Sequence, residues 1–153
     1  MGLRDLVYRL YERRLEASLS GHSIPRHVGV ILDGNRRWAR SAGLADVSDG
    51  HQKGADHIFE LLGWCRQAGV EVVTLWLLST DNLNRPAEEL DPLLKIIEGA
   101  VSGLAAARRW KVHPVGTLDL LPEGTQRVLK TAQEDTTEVT GILVNVAVGY
   151  GGR

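Results

Sequence analysis

The chain has 153 residues, 43% of them hydrophobic and 24% charged, which suits one globular domain with a sizeable core. Eighteen basic against nineteen acidic residues leave a formal charge of −1, so no global field draws the chain to nucleic acid and an anionic partner has to be bound locally. A single cysteine, Cys65, excludes a disulfide framework and a cysteine-rich zinc site; it is read as a core residue in a reducing compartment.

Residues 3–19, LRDLVYRLYERRLEASL, space Leu3, Val7, Leu10, Tyr11, Leu15 and Leu19 as one face of a helix, with Arg4, Arg9, Arg13 and Arg14 between them. Packing on the domain or on a dimer partner is the default for such a helix, and peripheral contact with an anionic membrane is the alternative. Residues 1–24 are therefore set apart from an α/β domain over 25–153. No apolar run approaches the roughly 18 residues of a membrane span, and no apolar stretch of a signal peptide is present, so the expected location is cytoplasmic.

A first strand is expected from His27 to Asp33, running into Asp33-Gly34-Asn35 and then Arg36, Arg37 and Arg40. From His51 to Ala68, Ala55, Ile58, Leu62 and Cys65 recur at helical spacing up to Gly69, a C-terminal stop. Val70–Ser79 is almost continuously apolar and β-branched, which suits a strand covered on both faces. A long helix follows, which Pro92 either starts or kinks. Strand WKVHPVG, helix PEGTQRVLKTAQED and strand GILVNVAVG complete the alternation, which implies a mostly parallel, doubly wound sheet with its ligand beyond the strand C-termini. The four tryptophans, Trp38, Trp64, Trp76 and Trp110, are core aromatics by default.

A diphosphate needs a hard cation on oxygen ligands, close-approaching backbone and guanidinium groups. The first strand end offers each: Asp33 for Mg²⁺, Gly34 for backbone approach, and Arg36, Arg37 and Arg40 for the phosphates. The plainer reading has Asp33 or Asn35 capping a helix whose arginines face water. Gly54 would allow close packing. The other histidines, His22, His27, His57 and His113, show no metal-ligand spacing.

Together, HVGVILDGNRRWAR, GHQKGADHI, LLSTDNLNRPAEEL and VNVAVGYGGR resemble the cis-prenyltransferases, the undecaprenyl-diphosphate-synthase-like enzymes, from Pro25 to Arg153. The resemblance implies an α/β fold with a mostly parallel twisted sheet flanked by helices. It also implies Mg²⁺-dependent condensation of an allylic diphosphate, geranyl or farnesyl, with isopentenyl diphosphate. By the same resemblance, Asp33, Asn35, Asp81 and Asn82 are the catalytic residues, with Asp33 on the metal. Gly34, Arg36, Arg37, Trp38, His51, Leu77, Ser79, Leu83 and Arg85 contact substrate. The chain departs from the family pattern at Asp81 (usually Glu), at Leu83 (usually Trp) and at Leu77, where long-chain members tend to carry alanine. Leu77 and Leu83 point to the short-chain branch and a product such as Z,E-farnesyl diphosphate. The family pattern continues past YGGR, so the chain is expected to be the N-terminal part of such an enzyme, with the family's homodimer interface drawing on the rest. A non-catalytic accessory subunit is the alternative. A phosphohydrolase with Asp33 as nucleophile lacks the second carboxylate two residues on, where Asn35 stands.

Overall fold

Val73, Leu75, Val144 and Val112 are buried between less buried neighbours, and this period of two decides which side of the sheet faces the core. A computed structural model describes residues 2–19, 21–43 and 47–151, apart from the side chains at 3, 36 and 47–49. Its elements are α1 (Leu3–Leu19), β1 (His27–Ile31), α2 (Asn35–Ser41), α3 (Val47–Ala68), β2 (Val72–Ser79), α4 (Ala87–Ala107), β3 (Trp110–Val115), α5 (Glu123–Asp135) and β4 (Ile142–Tyr150), with 3₁₀ turns at Asp81–Asn84 and Leu118–Leu120. The four strands are parallel in the order β1-β2-β4-β3.

One face of this sheet carries Val28, Val30, Val73, Leu75, Val144, Val146, Trp110 and Val112 into a single core with Ile58 and Leu62 of α3, Leu94, Ile97, Val101 and Leu104 of α4, and Leu129 and Ala132 of α5. Burying such side chains contributes about 1.5–3 kcal/mol apiece. α5 also seals the outer edge of β3, because the Val112 N–H donates to the Thr136 hydroxyl at 3.0 Å just past the helix. The opposite face is only partly covered: Ile31 is 69% exposed, and a polar strip joins His27, Thr74 and Asn145 through the Thr74 hydroxyl at 2.8 and 3.1 Å. The parallel sheet flanked by helices is as expected. The described helices α3, α4 and α5 share one core, and β2 alternates between buried and half-buried side chains.

α3 ends at Gly69, as expected, in a left-handed turn (φ 82°) whose Val70 N–H returns to the Cys65 carbonyl at 2.9 Å. It begins four residues before the expected His51. α4 runs through Pro92 rather than starting there, so the proline removes one bond near the helix start without ending the helix. β1 stops at Ile31, two residues short of Asp33. Of the four tryptophans only Trp110 is buried, while Trp38 and Trp64 are 48% and 62% exposed. Cys65 is buried as expected, and that burial raises its thiol pKa. α1 does not dock on the domain: its described side chains are all exposed, Leu6, Val7, Leu10 and Leu15 among them. Among the described residues no helix is long and apolar enough to cross a membrane.

Glu98 ties α4 to α5. Its carboxylate accepts from the buried Thr125 hydroxyl at 2.7 Å and from Lys95 at 2.9 Å. Burial alone would raise its pKa, but the two hydrogen bonds outweigh burial and hold the carboxyl below the ordinary glutamate value. A carboxylate with a depressed folded pKa stabilises above its unfolded value and loses that contribution as pH falls through the folded one. Glu98→Gln is expected to cost about 1 kcal/mol near neutrality, and the difference in melting temperature from the parent should shrink as pH drops through and below the ordinary glutamate range.

Candidate active site

At the C-terminal ends of β1 and β2, a cavity of about 550 Å³ opens between the sheet and helices α3 and α4. Where β1 stops, the chain folds sharply. The Asp33 N–H donates to the Ile31 carbonyl at 3.0 Å, the Asp33 carboxylate accepts the Gly34 N–H, and Gly34 takes a left-handed φ of 88° that side-chain-bearing residues rarely adopt. α2 then starts at Asn35. This turn sets Asp33, Gly34, Asn35, Arg37 and Arg40 along one end of the cavity.

Two glycines of α3 seat that turn. A Cβ on Gly54 would lie 2.8 Å from the Asn35 side-chain nitrogen and 2.9 Å from its oxygen; one on Gly50 would lie 2.5 Å from the Asn35 carbonyl oxygen and 2.9 Å from the Ala39 Cβ. The missing side chains are therefore the notch in which Asn35 sits, beside His51 on the same helix.

β2 contributes through a register shift. Trp76 pairs with Ala147 and Leu78 with Val148, so Leu77 is the additional residue of a bulge. Strict alternation would send Leu77 into the core; instead Leu78 is fully buried and Leu77, half-buried, lines the cavity. Beyond the strand, the 3₁₀ turn repeats every three residues, which aligns Ser79, Asn82 and Arg85 on the cavity wall. They form a chain: the Asn82 N–H donates to Ser79 Oγ at 3.2 Å, Arg85 Nη2 donates to Asn82 Oδ1 at 3.0 Å, and Arg85 Nη1 meets Glu89 Oε1 at 3.1 Å.

The other end of the cavity is apolar. Ala55 and Ile58 of α3 face Leu93, Ile96, Ile97 and Ala100 of α4. Ile58 lies seven residues beyond His51 on α3, about 10 Å along the helix, so the lining passes from polar to aliphatic over that distance.

Of the residues named from the sequence, Asp33, Gly34, Asn35, Arg37, His51, Leu77, Ser79, Asn82 and Arg85 meet on this one cavity. Trp38, Asp81 and Leu83 are not among its lining residues. Trp38 sits on the exposed side of α2, Asp81 is exposed, and Leu83 packs against the core because the three-residue period that aligns Asn82 with Arg85 turns its neighbours away. The Arg36 side chain, and the tail glycine and arginine at 152 and 153, lie outside the described residues. Ala55, Ile58 and the α4 stripe carried a sequence signal, helical apolar spacing, that core packing alone also explains.

Among the described residues no three His, Cys, Asp or Glu side chains cluster as a ready metal cage. The donor set fits Mg²⁺ all the same, because that ion is commonly held by one or two carboxylates together with substrate phosphates and water. Asp33, exposed at the polar mouth, is the carboxylate placed for it.

Residues 31–153 match the family model described as "Putative undecaprenyl diphosphate synthase". The chain belongs to this prenyltransferase family. It is 62% identical over 151 residues to the (2Z,6E)-farnesyl diphosphate synthase of Thermobifida fusca and 60% identical over 151 residues to isoprenyl transferase 1 of Streptomyces avermitilis, covering 99% of this chain in both cases and 59% and 58% of those proteins. Its fold matches the crystal structure of lavandulyl diphosphate synthase from Lavandula x intermedia in complex with dimethylallyl diphosphate. That match has a TM-score of 0.78 and 34% identity and covers 84% of this chain and 56% of that one. The chain thus spans a little under three fifths of the length of these prenyltransferase relatives.

Proposed function

We propose that the protein carrying this chain is a short-chain cis-prenyltransferase, which condenses an allylic diphosphate with isopentenyl diphosphate. The observation that carries the reading is the cavity's mixed lining: a carboxylate and arginines where β1 ends, and aliphatic side chains of α3 and α4. An amphiphile with an anionic head and a hydrocarbon tail is complementary to it. The Thermobifida fusca relative's name specifies a product with one Z and one E double bond. A geranyl starter supplies the E bond and one condensation adds the Z bond.

The allylic diphosphate lies with its head at Asp33, Gly34 and Arg37 and its tail along Ala55, Ile58, Leu93 and Ile97. Its C1–O bond breaks and the electron pair leaves with the diphosphate. The π pair of isopentenyl diphosphate forms the bond from its C4 to that C1, and loss of a C2 proton leaves the new double bond. Fixed guanidinium groups stabilise the charge that grows on the departing oxygen. Asp33 would hold Mg²⁺ together with the substrate phosphates, and the ion would supply further neutralisation of that charge. Asn35, held in the glycine notch, His51 and the Ser79–Asn82–Arg85 chain border the reacting carbon and orient the second substrate.

Leu77 limits the aliphatic part of the cavity in this reading. In the native protein Leu77→Ala is expected to shift labelled products beyond 15 carbons, read by chromatography of the dephosphorylated alcohols, and an unchanged product length would remove Leu77 from length control. Turnover of geranyl diphosphate and labelled isopentenyl diphosphate tests the reaction itself.

A further inference from the structure

We infer that Glu89 is a positioning residue of this site: its carboxylate fixes the Arg85 guanidinium and through it the placement of the second substrate. The inference rests on the prenyltransferase reading above and adds to it a residue that is not among those lining the cavity. Arg85 leaves the 3₁₀ turn extended (ψ 152°), as a residue before proline prefers. Pro86 caps α4, and the Glu89 N–H donates to the Pro86 carbonyl at 2.9 Å, so Glu89 stands three residues past the cap. A glutamate at that position ordinarily reaches back to the N–H of the capping residue, and proline has none. Glu89 Oε1 lies instead 3.1 Å from Arg85 Nη1.

Arg85 Nη2 donates to Asn82 Oδ1 at 3.0 Å, so both arms of the fork are tied. Two anchors on a planar group fix its rotation as well as its place. A guanidinium carries five N–H groups and these bonds use two, which leaves three for an anion in the cavity that Arg85 lines. The Arg85 and Glu89 side chains are 21% and 33% exposed, so the pair is partly shielded from solvent screening. The Glu89 charge also opposes binding of an anion. Such an arrangement helps only where direction counts for more than attraction, as it does for a nucleophile that must present one carbon to its partner.

A double-mutant cycle in the native protein tests the role. Glu89→Ala is expected to lower kcat/KM for isopentenyl diphosphate about tenfold or more and to leave the KM for the allylic diphosphate within about twofold of the parent. Glu89→Gln, which keeps an oxygen at the same reach without the charge, should be intermediate. In an Arg85→Ala background the Glu89→Ala change should add less than about twofold, because Glu89 acts through Arg85. The Arg85 guanidinium signal in NMR of isotope-labelled arginine, assigned by its loss in Arg85→Ala, should shift in Glu89→Ala and show faster rotation about the Cζ–Nη bonds. Unchanged kinetics in Glu89→Ala, an equal loss in both backgrounds, or an unmoved Arg85 signal would overturn the inference. A moved Arg85 signal in a protein that turns over no prenyl substrate would uphold the hold of Glu89 on Arg85 and refute the prenyltransferase reading.

Discussion

Replacing Asp33 with alanine in the native protein is expected to lower prenyl transfer by about a thousandfold or more while leaving the fold intact. The two halves of that expectation have separate causes. Asp33 is exposed, contributes nothing to the core, and its one recorded side-chain bond is to the adjoining Gly34 N–H, so circular dichroism and the melting temperature should hardly move. It is also the carboxylate placed at the polar mouth for a divalent cation, so its loss removes neutralisation where the leaving diphosphate gathers charge. Asp33→Asn separates charge from shape: it should be nearly as inactive as Asp33→Ala, and in both variants added Mg²⁺ should no longer strengthen pyrophosphate binding in a titration. Turnover near the parent level in Asp33→Asn would remove the metal role.

Gly54→Ala is the second large effect, and its sign on stability is the informative part. An alanine at an exposed helical position usually stabilises relative to glycine, by about 0.5–1 kcal/mol. Here the new Cβ would fall 2.8–2.9 Å from both terminal atoms of the Asn35 side chain, so Asn35 must leave its notch or α3 must move from α2. A displacement of about 1 Å at a positioning residue can cost about a hundredfold in rate. Turnover should therefore fall about that much, through kcat more than KM, with no gain in melting temperature. A more stable enzyme of full activity would show that Asn35 has no fixed station beside Gly54.

Much of this site was legible in the sequence because it is built where strands end. An apolar run that stops at Asp33-Gly34-Asn35 marks a strand terminus, and parallel sheets gather such termini on one side. The same logic put Ser79, Asn82 and Arg85 in one crevice with Arg37, and all four line the one cavity. What the pattern missed was local geometry. The bulge that brings Leu77 to the cavity depends on how β2 registers against β4, a relation between residues about 70 positions apart. The 3₁₀ period that separates Asn82 and Arg85 from Asp81 and Leu83 differs from both helix and strand, so the short run DNLN announces none of it. Trp38 was weighed by its size, whereas its place on the outer side of a seven-residue helix leaves it half exposed. Arg37 and Arg40, both offered from the sequence for the phosphates, line the one cavity.

The most direct test of the central claim is product analysis of the native protein supplied with geranyl diphosphate, labelled isopentenyl diphosphate and Mg²⁺. The expected result is a labelled 15-carbon alcohol after phosphatase treatment, with a Z double bond at the newest unit and no label incorporated when Mg²⁺ is chelated. Absence of any labelled prenyl product, or a new bond of E geometry, would contradict the claim.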